Sequence, residues 1–131
     1  MNLTPCPRCN EASFDLHLTF RGFCDSCDVR VAEDRDRAVT NITRLLDSGF
    51  ITATQGQSLV DKVMGRVPAL TADRERIVIG NSYIDYDLRP TVVTGITDVS
   101  LDAREKDGAA IWWRTTTGMF DGTRLAKRMP R

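Results

Sequence analysis

Four cysteines, arranged as two pairs, constrain this 131-residue chain more than any other feature of its sequence. Residues 6–9 read Cys-Pro-Arg-Cys, residues 24–27 read Cys-Asp-Ser-Cys, and fourteen residues separate the pairs. A Cys-x-x-Cys pair places two thiolates on one tight turn, and two such pairs supply the four ligands of a closed tetrahedral zinc site. We therefore predict one structural Zn²⁺ ion, bound by Cys6, Cys9, Cys24 and Cys27.

The two pairs and their spacing resemble those of zinc-ribbon modules, over residues 6–27. The resemblance implies a small unit in which metal binding provides most of the folding free energy, because so few residues bury little apolar surface. Asn10 follows the first pair where such turns often carry glycine, and we expect it to adopt a positive φ. Zinc ribbons bind nucleic acids, dock proteins or serve only as structural elements, so the resemblance leaves the function open.

Residues between and after the two pairs carry a strand pattern. Apolar residues at 14, 16, 18 and 20 alternate with polar ones, which predicts a strand with one buried face, in a hairpin near the zinc. Val29 and Val31 predict the start of a third strand. His17, the only histidine, falls on the polar face of the first of these strands. Since four cysteines already fill a tetrahedral shell, we expect His17 to face solvent.

The sequence also indicates the cellular compartment in which the protein is expected. It lacks a signal-peptide pattern, and the chain has no run of about eighteen apolar residues, so we expect a soluble, cytoplasmic protein that does not contact membranes. The cytoplasm is reducing, which favours metal thiolates over the alternative of two disulfides in a secreted protein.

Residues 34–67 predict a helical hairpin. Apolar residues at 39, 42, 45 and 46 recur at helical spacing up to Asp47, and Gly49 is placed to close the first helix. Thr52 and Gln55 form a capping-box pattern for a second helix, whose apolar residues at 59, 60, 63, 64 and 67 extend to Pro68.

The run from Leu45 to Thr52 resembles the Leu-Leu-x-x-Gly-x-Ile-Thr turn of SHOCT-type (short C-terminal domain) helical hairpins, a likeness that covers residues 45–67. Membership of that family would imply a docking or oligomerisation role. The alternative is a helix-turn-helix in which the second helix reads DNA. Residues 34–67 carry five basic and four acidic residues, whereas that fold needs a basic surface, so we expect packing rather than DNA recognition.

The C-terminal half predicts a small all-β unit. Strand-like segments at 77–79, 91–94, 99–101 and 110–114 are separated by turn signals at 80–81 and 107–108. Gly95 predicts a bulge or a bend, and a further turn is expected at 118–122. Four or five short strands are best closed as a barrel, because closure removes exposed edges, and their number favours an SH3-like barrel. The predicted fold is therefore α+β, with a zinc ribbon (1–33), a helical hairpin (34–67), a linker (68–76), a β-barrel (77–123) and a basic tail (124–131).

Two adjacent tryptophans and the basic C-terminus are candidates for partner binding. Trp112 and Trp113 must point to opposite faces of a strand, so one can fill the core while the other anchors a protein interface, stacks a nucleobase or packs between units. Residues 122–131 contain four basic residues and no acid. The predicted partner-binding residues are Trp112, Trp113, Arg114, Arg124, Lys127 and Arg128.

Signatures of catalysis are missing from the sequence. It has no glycine-rich phosphate loop, no Gly-x-Ser-x-Gly turn and a single histidine. Asp85 and Asp87 flank Tyr86 at strand spacing, but no third ligand or base lies nearby, so we expect an exposed strand end there. We expect no enzymatic activity.

The hypothesis that these features favour is a non-catalytic, zinc-stabilised adaptor or regulator that docks on a larger cytoplasmic protein assembly. One alternative is a DNA- or RNA-binding protein of transcription or translation that uses the β-barrel and the basic C-terminus. Residues 1–33 carry three basic and five acidic residues, which disfavours phosphate binding by the ribbon itself. A further alternative is an enzyme with a site assembled from dispersed acids such as Asp85 and Asp87.

Overall fold

The computed structural model describes residues 3–10, 12–14 and 22–126 and has an α+β fold. Its elements, in order, are β1 (Leu3–Pro5), β2 (Ala12–Phe14), α1 (Asp25–Asp47), α2 (Ala53–Val63), β3 (Ser82–Ile84), β4 (Pro90–Leu101), β5 (Ala109–Thr115), β6 (Gly118–Asp121) and a final 3₁₀ turn (Gly122–Arg124). β1 and β2 form an antiparallel pair, and β3 to β6 form an antiparallel sheet in sequence order that curls into a half-barrel. Among the described residues, no helix combines the length and the apolar composition of a membrane span.

Helix α1 begins at Asp25, so the third strand predicted from Val29 and Val31 is wrong. Val29 is 56% exposed whereas Val31 is fully buried, although a strand would place both side chains on one face. The buried residues of α1 are Cys27, Val31, Asp34, Ala38 and Ile42, which recur every three or four residues as one helical face. Positions 33 and 34, where two predicted units meet, are consecutive residues of this helix.

The turn between the helices forms as predicted. Gly49 adopts a φ of +75°, and the N–H groups of Gly49 and Phe50 donate to carbonyls of the last turn of α1, which closes the helix as a Schellman motif. In the capping box, Gln55 N–H donates to Thr52 Oγ1 at 3.1 Å and Thr52 N–H donates to Gln55 Oε1 at 2.8 Å. These contacts set the direction in which α2 leaves the turn.

The second helix ends earlier than predicted, and its packing against α1 accounts for the glycine within it. α2 ends at Val63 and Gly65 follows with a φ of +77°, so Pro68 does not end the helix and Val67 lies beyond it, exposed. Gly56 lies against α1, because a Cβ at this position would approach the Leu46 side chain to 2.8 Å. The glycine therefore permits close packing of the two helices.

Two predictions about strands are wrong. Residues 77–79 do not form a strand, because the Tyr83 hydroxyl accepts from Val78 N–H at 2.7 Å and donates to the Arg76 carbonyl at 2.7 Å, where a neighbouring strand would otherwise pair. The turn predicted at 118–122 instead contains β6, which pairs with β5. The bulge predicted at Gly95 is confirmed by a register shift between Val93 and Gly95 in the β4–β5 pairing.

The two helices and the sheet share one hydrophobic core, with α1 packed mainly on β4. Its buried residues include Ala38 and Ile42 from α1, Leu59 from α2, and Ile96 and Trp113 from the sheet. A smaller second cluster consists of Cys6, Phe23, Cys27 and Val31. This second cluster surrounds the cysteines, which are described next.

Candidate metal centre

The four cysteines meet at one point of the fold. Their Sγ atoms all lie within 4.8 Å of one another, and none of the four forms a disulfide. Cys9 and Cys24, one from each pair, approach to 3.8 Å between sulfurs. Four thiols at this spacing are arranged to bind a single metal ion. The cysteine cluster predicted from the sequence is therefore confirmed.

Each pair lies on a different kind of element. The first pair occupies the turn between β1 and β2, where Asn10 N–H donates to the Cys6 carbonyl at 2.7 Å and Asn10 adopts the predicted positive φ, 61°. The second pair was also expected on a tight turn, but Cys24 is the N-cap of α1 and Cys27 lies in its first helical turn. The partial positive charge of a helix N-terminus stabilises thiolates at this position.

Burial and polar contacts together shift the pKa values of the two buried thiols in opposite directions. Burial opposes ionisation of Cys6, but backbone N–H groups of Cys24, Cys9 and Arg8 outweigh it and lower the pKa of Cys6 to about 6. Burial raises the pKa of Cys27 to about 12, although Arg8 Nη1, at 3.5 Å from its sulfur, acts in the opposite direction. Metal binding would favour the thiolate form of both residues, because thiolates are the ligands.

The cysteine cluster is attached to the larger core at several points. Cys6 and Cys27 are buried with Phe23 and Val31, and Ile79 packs against both hydrophobic clusters. Arg8 Nε donates to the Thr94 carbonyl of β4 at 2.5 Å. Pro7 packs so closely on Gly80 that a Cβ on the glycine would lie 2.7 Å from Pro7 Cβ. These contacts hold the first cysteine pair against the sheet.

Comparisons of this chain with protein-family models, curated proteins and solved structures gave no match. The resemblances to zinc ribbons and to SHOCT-type hairpins therefore depend on residues 6–27 and 45–67 alone.

The predicted aromatic residues occupy different environments. Trp113 is buried in the main core, whereas Trp112 on the opposite face is half-buried and donates its Nε1–H to Ser100 Oγ at 2.7 Å. Trp112 therefore already has a hydrogen-bond partner within the sheet.

The predicted basic residues are also dispersed. Arg114 Nη1 donates to Asp34 Oδ2 at 3.0 Å, which binds β5 to α1. The guanidinium carbon of Arg124 lies 4.7 Å from the centroid of the Tyr86 ring. Lys127 and Arg128 lie outside the described residues, as do His17 and the strand pattern beyond Phe14. The structure thus shows Arg114 and Arg124 in separate contacts.

Asp34 is a buried residue whose role was not predicted from the sequence. Its carboxylate accepts from Arg37 Nη2 at 2.8 Å, from Arg114 Nη1 at 3.0 Å and from Ile96 N–H at 3.3 Å. Asp34 therefore connects α1 to both β4 and β5. The available signal for its burial was its position on the helical face that begins with Cys27 and Val31, because every other residue of that face is apolar or a cysteine.

The turn between β3 and β4, residues 85–89, is organised by a second buried carboxylate. Asp85 Oδ1 accepts from the N–H groups of Asp87 and Arg89, each at 2.9 Å, and Thr117 Oγ1 donates to Asp85 Oδ2 at 2.6 Å. The exposed strand end expected here is wrong for Asp85, which is buried, although Asp87 is exposed. Both oxygens of Asp85 are used to hold the turn.

This turn presents two large apolar side chains to solvent. Tyr86 is 67% exposed and Leu88 is 84% exposed, and Leu88 adopts a φ of +63°. Arg124 stacks on the Tyr86 ring in a cation–π contact. Only the carboxylates of this segment were predicted as candidate site residues, although Tyr86 and Leu88 stand between charged residues in the sequence and were the available signal.

Asp85→Asn is expected to destabilise the protein in a pH-dependent manner. The Thr117 hydrogen bond, opposed by burial and supported by the N–H groups of Arg89 and Asp87, holds the pKa of Asp85 below its ordinary value of 3.8. This stabilisation is present above the pKa of the unfolded state and is lost as the pH falls through the lower folded-state pKa. Urea midpoints should therefore differ most near neutral pH and converge below about pH 4.

Asp87→Asn is the matched control, because the Asp87 carboxylate is exposed at the same turn. Its urea midpoint should follow that of the wild type across the pH range. A constant difference between Asp85→Asn and wild type down to about pH 2 would contradict the prediction.

Proposed function

We propose that this chain is a non-catalytic, zinc-stabilised adaptor or regulator that docks on a larger protein assembly through the β3–β4 turn. The observation that carries the proposal is the exposure of Tyr86 and Leu88 on a turn held by the buried Asp85. Large apolar side chains in a fixed geometry are effective interface anchors, because little conformational entropy is lost when they bind.

The backbone of Leu88 supports the same proposal. A positive φ in a residue other than glycine costs on the order of 1 kcal/mol. Leu88 is exposed, so burial of its side chain within this chain does not offset that cost. A leucine held in this conformation at the tip of a turn is consistent with a side chain that is positioned for a partner.

The cysteine cluster supports the zinc-stabilised part of the proposal. Four thiolates complete a tetrahedral Zn²⁺ shell, which leaves no open position for an activated water. A zinc-ribbon-like role as a structural element fits this donor set, and metal thiolates of this kind are typical of reducing compartments such as the cytoplasm. The curled four-stranded sheet is compatible with the SH3-like unit expected from the sequence.

Site-specific photo-crosslinking tests the docking surface. Benzoylphenylalanine replacing Leu88 should yield a discrete crosslinked protein in a native lysate, and the same group replacing Leu101 serves as a control because Leu101 is 48% exposed on β4. Leu88→Asp should then abolish capture of that partner, while Leu101→Asp retains it. Absence of a product specific to position 88 would overturn the proposal.

The contact between Tyr86 and Arg124 favours one alternative, binding of single-stranded nucleic acid. An exposed aromatic ring beside arginines can stack a nucleobase, and residues 122–131 are basic. Titration of single-stranded DNA and RNA at increasing salt separates the two functions. Affinity that falls steeply with salt and is lost in Tyr86→Ser would favour nucleic acid, whereas no binding at low salt would eliminate it.

A further inference from the structure

The four cysteines differ in how far solvent reaches them. Cys9 is exposed and Cys24 is half-buried, and we call these two residues the outer thiols. Cys6 and Cys27, the inner thiols, are buried, with 0% and 3% of their surface exposed. A small polar reagent in water therefore meets the outer thiols before the inner ones.

The outer thiols come from different elements and lie close together. Cys9 belongs to the turn between β1 and β2, Cys24 is the N-cap of α1, and their sulfurs are 3.8 Å apart. With a zinc–sulfur distance of about 2.3 Å, two ligands of one tetrahedral ion lie roughly 3.8 Å apart. A disulfide bond is only about 2.05 Å long. The two sulfurs therefore cannot both remain ligands of the ion once they are joined.

The inner thiols are restrained by polar contacts as well as by burial. The Cys24 N–H group donates to Cys6 Sγ at 3.4 Å, and Arg8 Nη1 lies 3.5 Å from Cys27 Sγ. A disulfide within either Cys-x-x-Cys pair would draw one of these buried sulfurs away from its polar partner. The bond between Cys9 and Cys24 requires no movement of a buried sulfur, so it is the favoured product of oxidation.

We propose that the outer thiols are a modification site for hydroperoxides, and that their oxidation to a disulfide releases the metal ion. The Cys9 thiolate attacks hydrogen peroxide, which forms an S–O bond, breaks the O–O bond and releases hydroxide. The Cys24 thiolate then attacks the Cys9 sulfur, which forms the S–S bond and expels a second hydroxide. The two sulfurs supply the two electrons that reduce the peroxide.

This site depends on the metal-binding part of the proposed function and not on the β3–β4 turn. A coordinating thiol is held as the thiolate, which is the form that attacks peroxide. After oxidation, Cys6 and Cys27 are two ligands where a closed zinc site needs four. The new disulfide keeps the β1–β2 turn joined to the start of α1, so reduction should restore the site.

Peptide mapping of the zinc-loaded full chain tests the predicted bond. After treatment with hydrogen peroxide, the remaining thiols are blocked with N-ethylmaleimide, and a chromogenic chelator measures the zinc released. Trypsin and Asp-N protease place the four cysteines on separate peptides, because cleavage sites at Arg8, Arg21 and Asp25 lie between them. One Zn²⁺ ion should be released for each Cys9–Cys24 bond formed. Any other pairing, or release of zinc without a disulfide, would overturn the proposal.

Two histidine variants test the role of each outer thiol. Histidine is a zinc ligand, so Cys9→His and Cys24→His each retain a four-ligand set while removing one oxidisable sulfur. Both should release zinc at least about tenfold more slowly in peroxide, and in Cys24→His dimedone should trap a sulfenic acid on Cys9. Ser26→Ala, which changes an exposed residue that is not a ligand, should behave as the wild type. Release from Cys9→His at the wild-type rate would contradict the proposal.

Native mass measurement separates this inference from the proposed function. An untreated wild-type chain that carries no zinc would contradict the metal-binding part of the proposed function and this inference together. A zinc-loaded chain that keeps its zinc in peroxide would contradict this inference alone. Reduction of the oxidised chain with a phosphine in the presence of Zn²⁺ should restore one ion per chain, and failure to restore it would contradict a reversible modification.

Discussion

Cys6→Ser is expected to abolish binding of the metal ion and to unfold the N-terminal unit while the larger core stays folded. Cys6 is fully buried and is one of four clustered sulfurs, so its loss leaves an incomplete ligand set. Structural zinc provides on the order of 10 kcal/mol of folding free energy in small zinc-finger peptides, which is more than a cluster of this size can replace. The first turns of α1 should therefore fray, since Cys24 and Cys27 hold its start.

Native intact-mass measurement and hydrogen exchange check this result. The wild type should carry one Zn²⁺ ion per chain and Cys6→Ser none. Amides of residues 25–31 should lose protection in the variant, whereas those of Val93 and Ile96 in the main core retain it. Ser26→Ala is the matched control, because Ser26 is exposed between two ligands and contributes none. An unmetallated wild-type chain that is equally protected would contradict the prediction.

Gly95→Ala is expected to lower the free energy of unfolding by about 2–4 kcal/mol. A Cβ on Gly95 would lie 2.2 Å from Asp34 Oδ2 and 3.2 Å from Arg114 Nη1. The methyl group therefore displaces the carboxylate that connects α1 to β4 and β5, and Ile96 N–H loses its acceptor. Urea denaturation of the metal-loaded protein measures the loss.

A double-mutant cycle separates this mechanism from general strain at the bulge. Asp34→Ala should itself be destabilising, but in that background Gly95→Ala should cost less than about 1 kcal/mol, because the carboxylate oxygen at 2.2 Å is gone and the flexible end of the Arg114 side chain can move. Asp36→Ala, on the exposed face of α1, should change stability by less than about 0.5 kcal/mol. Additive effects of the Gly95 and Asp34 substitutions would contradict the proposed contact.

The sequence alone was sufficient to predict the local geometry wherever a single short segment determines it. The turn of the first Cys-x-x-Cys pair, the positive φ of Asn10, the Gly49 closure and the Thr52 capping box all depend on residues within a few positions of one another. These features form as expected because their hydrogen bonds are made within the same turn.

Tertiary context decided the features that the sequence left ambiguous. Val29 and Val31 are β-branched and alternate with polar residues, yet the helical stripe that includes Cys27 and Asp34 determines their conformation. Residues 77–79 look like a strand, but the Tyr83 side chain replaces the expected pairing partner. Propensity alone cannot reveal such long-range contacts.

The environments of the candidate partner-binding residues also depend on long-range contacts that the sequence does not reveal. The sequence indicated candidate residue types for partner binding, but not which of them the fold would use internally. Trp113 fills the core and Arg114 forms an ion pair with Asp34. The exposed Tyr86 and Leu88 instead belong to a turn that the buried Asp85 holds by hydrogen bonds. Burial and ion pairing depend on the assembled fold, which motif spacing does not describe.

The contact between Gly56 and Leu46 has an evolutionary consequence. Since the glycine leaves no room for a side chain against the leucine, the distance between α1 and α2 depends on both positions together. Among homologous sequences, a larger residue at position 56 should occur with a smaller one at position 46. Such paired changes would identify distant relatives that keep this helical arrangement after the cysteine motifs have diverged.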